Sequence, residues 1–382
     1  GSELNRNYRR EKMLRRLLSS IKDKFKEIAE EKFGVDFRRF DKEDMLLFPD
    51  IGFQSQINSD NWNLVCHGWR YEGSKRNKFL GLSISSIGEA IAYLVSNAEQ
   101  ILYLNDTIQR DRIKPFLVED ESHEVIKINI GKSSHIARTD NEGQFRLDLT
   151  YSNDDVNQLK KDDIISYTAI GDNGDSQEGV IRLIERNGLS IISDIDDTIK
   201  ISEVLDKIRL IANTFIHPFK PVLGMADLYQ QWKTRYNCSF HYLSAMPDQL
   251  YILTQEFINN NNFPNGSFHM RHFHWASKSI FNFVHSQSTF NHKLTYLRYF
   301  LSNTLRQFIL VGDSGEKDPE VYGVITREYP ERIRAIFIRQ VSGSLASEER
   351  FSAAFENIPK AKWMVFDDPK QVPIDLIIPP RA

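Results

Sequence analysis

Near the start of the chain, Leu14, Leu17, Leu18, Ile21, Phe25 and Ile28 recur at helical spacing, so residues 3–33 predict one amphipathic helix. From about residue 47 the pattern changes to short, strand-like runs. Asn63 to Trp69, His123 to Ile130, Gly143 to Leu149, Asp163 to Ile170 and Glu178 to Ile184 predict strands, with one helix over Ile87 to Leu104. Turn residues separate these runs, as in an antiparallel sandwich. From Leu189 onward, apolar runs alternate with helical patterns. Strands are expected at 189–195, 238–244, 267–275, 308–313, 334–341 and 363–367. Several are near-continuous apolar or β-branched runs, as buried parallel strands require, and the alternation predicts a doubly wound α/β sheet. The expected division is a helical extension over 1–46, a β-rich sandwich-like domain over 47–188 and an α/β domain over 189–382.

Candidate chemistry gathers in the last of these. Leu189-Ser190-Ile191-Ile192 runs directly into Ser193-Asp194-Ile195-Asp196-Asp197-Thr198. Residues two apart at the exit of a strand face the same way, so Asp194 and Asp196 can both point into one site. Three further features follow in order. Phe240-His241-Tyr242-Leu243-Ser244 is a strand ending in a hydroxyl. Lys293 opens a helical pattern through Leu294, Leu297, Phe300 and Leu301. Phe308-Ile309-Leu310-Val311-Gly312-Asp313 leads to Asp318. Doubly wound sheets place ligands beyond the carboxyl ends of their strands, where Asp194, Ser244 and Asp313 are expected. Asp318 precedes Pro319, which also fits a helix N-cap.

Paired carboxylates, a hydroxyl and a lysine suit attack on a phosphomonoester. The substrate dianion repels a carboxylate nucleophile, so a divalent cation with hard oxygen ligands is needed. The four features together resemble the motif set of the haloacid-dehalogenase-like (HAD) phosphatases. That resemblance implies Mg²⁺ held by Asp194, Asp313 and the Asp196 carbonyl, with Asp318 behind a bound water. It implies Asp194 as nucleophile and Asp196 as acid and base. Thr198 completes the nucleophile motif, while Ser244 and Lys293 bind phosphoryl oxygens. Lys293 is also expected to keep Asp194 ionised.

The likeness narrows further along the chain. Ile192 to Lys200, Asn213-Thr214-Phe215, Pro218-Phe219, Pro221-Val222, Gly224-Met225, Phe263-Pro264-Asn265-Gly266 and Gly312 to Gly323 resemble the App1 family of phosphatidate phosphatases. Membership implies Mg²⁺-dependent hydrolysis of phosphatidate to diacylglycerol at an anionic membrane surface. Ser244-Ala245-Met246-Pro247 departs from the family's usual pair before the proline. The alternatives are a phosphoprotein or soluble-metabolite phosphatase of the same fold, or a non-catalytic membrane or protein adaptor. An adaptor would need none of Asp194, Asp196, Lys293 or Asp313.

Composition constrains the rest. A net charge of −3 gives no field that draws nucleic acid. Cys66 and Cys238, both in apolar runs, read as free thiols of a reducing compartment. No apolar run reaches the length of a membrane span. A cytoplasmic protein with peripheral membrane association is therefore expected. Arg6, Arg9, Arg10, Lys12, Arg15 and Arg16 crowd the first half of the 3–33 helix and suit anionic lipid, although packing on its own domain explains the same pattern. Asp154, Asp155, Asp172 and Asp175 suggest a weak Ca²⁺ alternative, and His269, His272 and His274 a weak zinc one.

Overall fold

The computed structural model describes residues 43–73, 118–203, 213–214, 218–272, 287–341 and 347–376. The expected helices over 3–33 and Ile87 to Leu104 lie outside these residues.

The β-rich part contains β1 (Glu43–Phe48), β2 (Asp50–Gln54), β3 (Asn61–Gly73), β4 (Val118–Asp120), β5 (Val125–Ile130), β6 (Ser133–Arg138) and β7 (Gln144–Ser152). These are followed by α1 (Asn153–Leu159), β8 (Ile164–Ile170) and β9 (Ser176–Ile184). The pattern did not announce β1 and β2, and the first of them begins at Glu43, ahead of the expected boundary at 47. They are one extended run interrupted at Pro49, which cannot donate to a ladder. Both pair antiparallel with β3, Phe48 facing His67 and Gly52 facing Leu64. The expected antiparallel sandwich is corrected, because the nine strands form one connected sheet in which β2 pairs with β9 in parallel. Trp62, Leu64, Cys66, Ile126, Ile128, Phe145, Ile165 and Ile181 alternate inward from several strands and share one core.

The second sheet holds all six strands expected after residue 188. They are β10 (Leu189–Ser193), β13 (Ser239–Pro247), β14 (Gly266–Arg271), β15 (Gln307–Asp313), β16 (Ile333–Arg339) and β17 (Trp363–Phe366). A small antiparallel ladder, β11 (Lys200–Ile201) with β12 (Lys220–Pro221), stands apart from it. The spatial order is β14-β13-β10-β15-β16-β17, and every pairing is parallel. The chain thus starts in the middle, builds outward to β14, then returns to build the other half from β15. The switch point lies between β10 and β15, where such sheets form their ligand crevice.

Side chains alternate between the two faces of this sheet. Ile191, Ile309 and Val311 join one core with α2 (Met225–Tyr236) and α3 (Tyr251–Asn260), through Leu228, Trp232 and Phe257. Ile192, Phe308 and Leu310 join the opposite core with α4 (Gln287–Asn303), α5 (Asp318–Glu328) and α6 (Glu348–Ala354), through Leu297, Ile325 and Phe351. Helices on both faces explain why β10 and β15 are buried along nearly their whole length. Among the described residues no helix is long and apolar enough to cross a membrane.

The β-rich part packs directly on this unit. Phe48 and Trp69 enter one α/β core, and Ile51, Phe53 and Val65 enter the other. Phe268 donates its N–H to Pro49 O at 2.8 Å, and Arg182 Nε donates to Gly266 O at 3.0 Å, both against the edge strand β14. Phe48 also meets Tyr251 edge-on, with 5.5 Å between ring centroids. Phe48→Ala should therefore cost about 3–5 kcal/mol, as for other buried aromatics. Denaturant unfolding should show both parts melting in one transition that moves as a whole. Two separate transitions, with only the β-rich one shifted, would contradict the shared cores.

Candidate active site at the ends of the parallel strands

Asp194 leaves β10 at the switch point, and its N–H still bonds Val311 O on β15 at 2.9 Å. The chain then turns sharply. Ile199 and Lys200 both return their N–H groups to Ile195 O at 3.0 Å. Asp197 takes the left-handed region, with φ of 59°, a conformation Asp adopts more readily than most residues. Ser193 Oγ donates to Asp194 O at 2.7 Å and meets Tyr229 Oη at 2.7 Å, fixing the turn from the α2 side.

Lys293 projects from α4 into this turn, within the helix rather than at its start. Its Nζ lies 2.9 Å from Asp194 Oδ1, 3.1 Å from Glu316 Oε2 and 2.5 Å from Asp318 Oδ1. Thr198 Oγ1 donates to Asp194 Oδ2 at 3.0 Å. Asp318 Oδ2 accepts the Asp313 N–H at 3.2 Å. Gly312 permits this approach, since a Cβ there would stand 2.4 Å from Asp318 Oδ2. Asp318 does not act as a side-chain N-cap. Lys317 occupies that position, and the Asp318 carboxylate turns back toward β15.

Asp194, Lys293, Asp313 and Asp318 are all at most 1% exposed. Carboxylate oxygens of Asp194, Asp313 and Asp318 lie within 4.8 Å of one another, and this buried acidic triad could bind a metal ion. Asp313 Oδ2 is buried without a hydrogen-bond partner, the kind of atom a cation would satisfy. The donor set is all oxygen, which suits a hard divalent ion. Asp194, Asp313, Glu316 and Asp318 present four carboxylates to one ammonium.

That imbalance shows in the titration of the cluster. Burial pushes the Asp194 carboxyl well above the usual carboxylate range, and Lys293 opposes this without overcoming it. Asp318, Glu316 and Asp196 push in the same direction as burial. Asp313 is raised likewise, by burial first and then by Asp318 and Glu316. Glu316 is pushed up to about 7, again mainly by burial. Burial disfavours the Lys293 charge, but Asp194, Asp318 and Glu316 outweigh it and hold the ammonium protonated.

Asp196 takes other partners. Its Oδ1 lies 2.9 Å from Lys200 Nζ and accepts a short hydrogen bond from Ser202 Oγ. It is 7% exposed against 1% for Asp194. Ser244 is buried near the end of β13, which runs on to Pro247 rather than stopping at the hydroxyl. Ser244 Oγ accepts the Met246 N–H at 2.9 Å instead of joining the Lys293 cluster. Glu316 was not singled out by the sequence reading, although it lies inside the stretch from Asp313 to Asp318. Arg350 also escaped notice. Its guanidinium reaches Glu316 O at 2.6 Å and Glu320 Oε1 at 2.8 Å, holding the 314–320 turn to α6.

Among the described residues the weaker metal alternatives do not assemble. Asp175 pairs with Arg70, and Asp155 accepts from Ser152 Oγ at the start of α1. His269 bonds Ser267 Oγ at 2.8 Å and His272 bonds Asp248 Oδ1 at 2.8 Å, while His274 lies outside the described residues. Both cysteines are free and buried, and burial raises both thiols, that of Cys238 to about 11.

Residues 189–340 match the family model of the phosphatidate phosphatase APP1 catalytic domain. This stretch is similar to an App1-type catalytic domain. An uncharacterized protein of Schizosaccharomyces pombe is 34% identical over 165 residues, 42% of this chain and 26% of that protein. Phosphatidate phosphatase APP1 of Saccharomyces cerevisiae is 34% identical over 163 residues, 42% of this chain and 27% of its own length. The chain thus spans about a quarter of each curated relative through this match. Among solved structures, a carbohydrate acetylesterase from Xanthomonas citri aligns over 57% of this chain and 63% of its own at 7% identity. Its TM-score of 0.22 is too low to carry an argument. The matched stretch contains Asp194, Asp196, Thr198, Ser244, Lys293, Asp313 and Asp318.

If the surplus carboxylates of this domain form a cation site, Mg²⁺ should raise the unfolding temperature. Linkage gives about 2.7 kcal/mol of stabilisation at a hundredfold excess over Kd. Asp313→Asn should abolish most of that shift while raising the ion-free unfolding temperature, because it removes one of the crowded charges. Calorimetry with and without Mg²⁺ measures both. An unchanged Mg²⁺ response in Asp313→Asn would rule Asp313 out as a ligand.

Proposed function

We propose that the chain is a Mg²⁺-dependent phosphatidate phosphatase of HAD-like mechanism. The observation that carries this reading is the meeting of Asp194, Lys293, Asp313 and Asp318 at the switch point of an App1-type domain. Asp194, Asp313 and Asp318 would hold Mg²⁺, with the Asp196 main-chain carbonyl as a further oxygen. Bound there, the ion would offset the carboxylate excess and the charge of the substrate phosphoryl group.

The chain's own residues then carry the reaction. Lys293 and Ser244 orient the phosphoryl oxygens. For Ser244 this requires its hydroxyl to turn from the Met246 N–H toward the substrate. Asp194 attacks phosphorus, forming a carboxylate–phosphorus bond as the ester oxygen departs. Thr198 holds the attacking carboxylate in its rotamer. Asp196, the more exposed aspartate, protonates the leaving alcohol oxygen. It then takes a proton from the water that hydrolyses the aspartyl-phosphate, releasing phosphate and restoring Asp194. The alcohol product would be diacylglycerol.

The substrate must be met at an anionic membrane surface, and the basic stretch between Arg6 and Arg16 supplies charge suited to peripheral contact. A cytoplasmic enzyme visiting membranes fits this reading. A phosphatase of soluble metabolites or phosphoproteins would use the same residues, and the substrate panel separates the two. Phosphate release should be measured on phosphatidate, lysophosphatidate and phosphoinositide vesicles, phosphopeptides and soluble phosphate esters, with and without Mg²⁺. Phosphatidate should be preferred, turnover should need Mg²⁺, and Asp194→Asn should lose activity by several orders of magnitude with its fold intact. Higher kcat/KM on a phosphopeptide or metabolite than on phosphatidate would replace the substrate assignment. Retained turnover in Asp194→Asn would overturn the mechanism.

A further inference from the structure

Lys200 is fully buried, yet neither the metal cluster nor the phosphate-binding residues account for it. A buried ammonium is costly unless it is paired and hydrogen-bonded. Its carboxylate partner is Asp196, 2.9 Å away, in an ion pair whose angle falls short of a hydrogen bond. On its other side, Nζ sits 4.3 Å from the centroid of the Phe219 ring. None of its N–H groups makes an aligned hydrogen bond among the described residues. Ser202 Oγ already donates to the same Asp196 oxygen, so satisfying that oxygen does not require the lysine. A lysine kept only for stability would be better replaced by an apolar side chain of the same length.

The backbone is built to bring both groups onto Asp196. Asp197 N–H bonds Lys200 O at 2.6 Å, closing the turn. The Asp197 carboxylate accepts the N–H groups of Ser202 and Glu203, both at 2.8 Å. Arg339 Nη1 donates to Asp197 O at 2.6 Å, anchoring the turn to β16. The β11–β12 ladder pairs Lys200 with Pro221 and so sets Phe219 beneath the ammonium. Asp196 is thereby held by two side chains that reach back from later in the same turn.

We propose that Lys200 and Ser202 are positioning residues that fix the Asp196 carboxylate where it meets the leaving oxygen. This rests on the reading of Asp196 as the proton donor. A misplaced Asp196 matters most when the leaving group needs a proton. In the step that expels the leaving group, loss of Lys200 should therefore act on poor leaving groups and spare good ones, whereas a merely structural lysine would affect both alike.

The test compares kcat/KM, which reports the steps up to leaving-group departure and not the shared hydrolysis of the aspartyl-phosphate, on phosphatidate, whose leaving group is an alkyl alcohol, and on p-nitrophenyl phosphate, whose leaving group departs without protonation. Lys200→Met, Ser202→Ala and Asp196→Asn are measured in the full chain, with thermal melts to check folding. Asp196→Asn should lower the phosphatidate to p-nitrophenyl phosphate ratio by about 10²-fold or more, in the range of lost general acid catalysis. Lys200→Met should lower the same ratio by about tenfold or more, as expected of a weakened proton transfer. Ser202→Ala should lower it in the same direction, and it decides the matter if Lys200→Met does not fold. Equal losses on both substrates, or no change in the ratio, would overturn the positioning role while a lowered ratio in Asp196→Asn left the acid assignment standing. An unchanged ratio in Asp196→Asn would instead remove the acid assignment, and this proposal with it.

Discussion

One buried ammonium organises the site. Lys293 Nζ draws Asp194, Glu316 and Asp318 to within 3.1 Å of a single point. These carboxylates come from the end of β10 and from the turn after β15, so the lysine on α4 closes the switch point of the sheet. A single positive charge cannot balance four buried carboxylates, which is why burial still raises Asp194 and Asp313. The site is stored with an excess of carboxylates over cationic side chains, which either bound protons or a metal cation can relieve.

Everything around the cluster serves to hold that unfavourable arrangement. The two apolar cores clamp β10 and β15 from opposite faces, and the β-rich part completes both cores instead of standing off as a separate module. Hydrogen bonds then act at short range. Tyr229 and Ser193 fix the turn beneath Asp194, and Tyr322 Oη donates to Val311 O at 3.0 Å on the neighbouring strand. Arg350 ties down the turn that carries Glu316. His292, beside Lys293, places its Nε2 3.2 Å from Ser244 O and 3.3 Å from His269 O. Burial lowers its pKa to about 3, so it serves there as a neutral hydrogen-bonding group.

Much of this was legible in the chain. Near-continuous apolar runs such as Phe308 to Val311 and Leu189 to Ile192 suit strands buried on both faces, so six parallel strands could be read directly. Asp194, Lys293, Asp313 and Asp318 were found because their order along the chain resembles the motif set of the HAD-like phosphatases, and strand exits of a doubly wound sheet suit the positions of Asp194 and Asp313. Glu316 was missed because an acidic residue in a turn is usually solvated. Nothing local says that α4 will bury it. Lys200 was missed for a related reason, since only the fold of the Asp197 turn brings it back to Asp196. β1 and β2 carry mixed residues around Pro49 and show no clean alternation, because their pairing depends on β3 and β9, which lie far along the chain.

The central claim is that the buried carboxylate of Asp194 forms a covalent bond to phosphorus. The most direct measurement is turnover in ¹⁸O-labelled water over several cycles, followed by peptide mass analysis of the enzyme. Because water attacks phosphorus in the second step, label should appear in the released phosphate and Asp194 should keep its original oxygens. A phosphoryl adduct should be trapped on the peptide carrying Asp194 when the reaction is quenched early in the Asp196→Asn background. An adduct on another side chain, or rapid turnover with no adduct at any time point, would contradict the account.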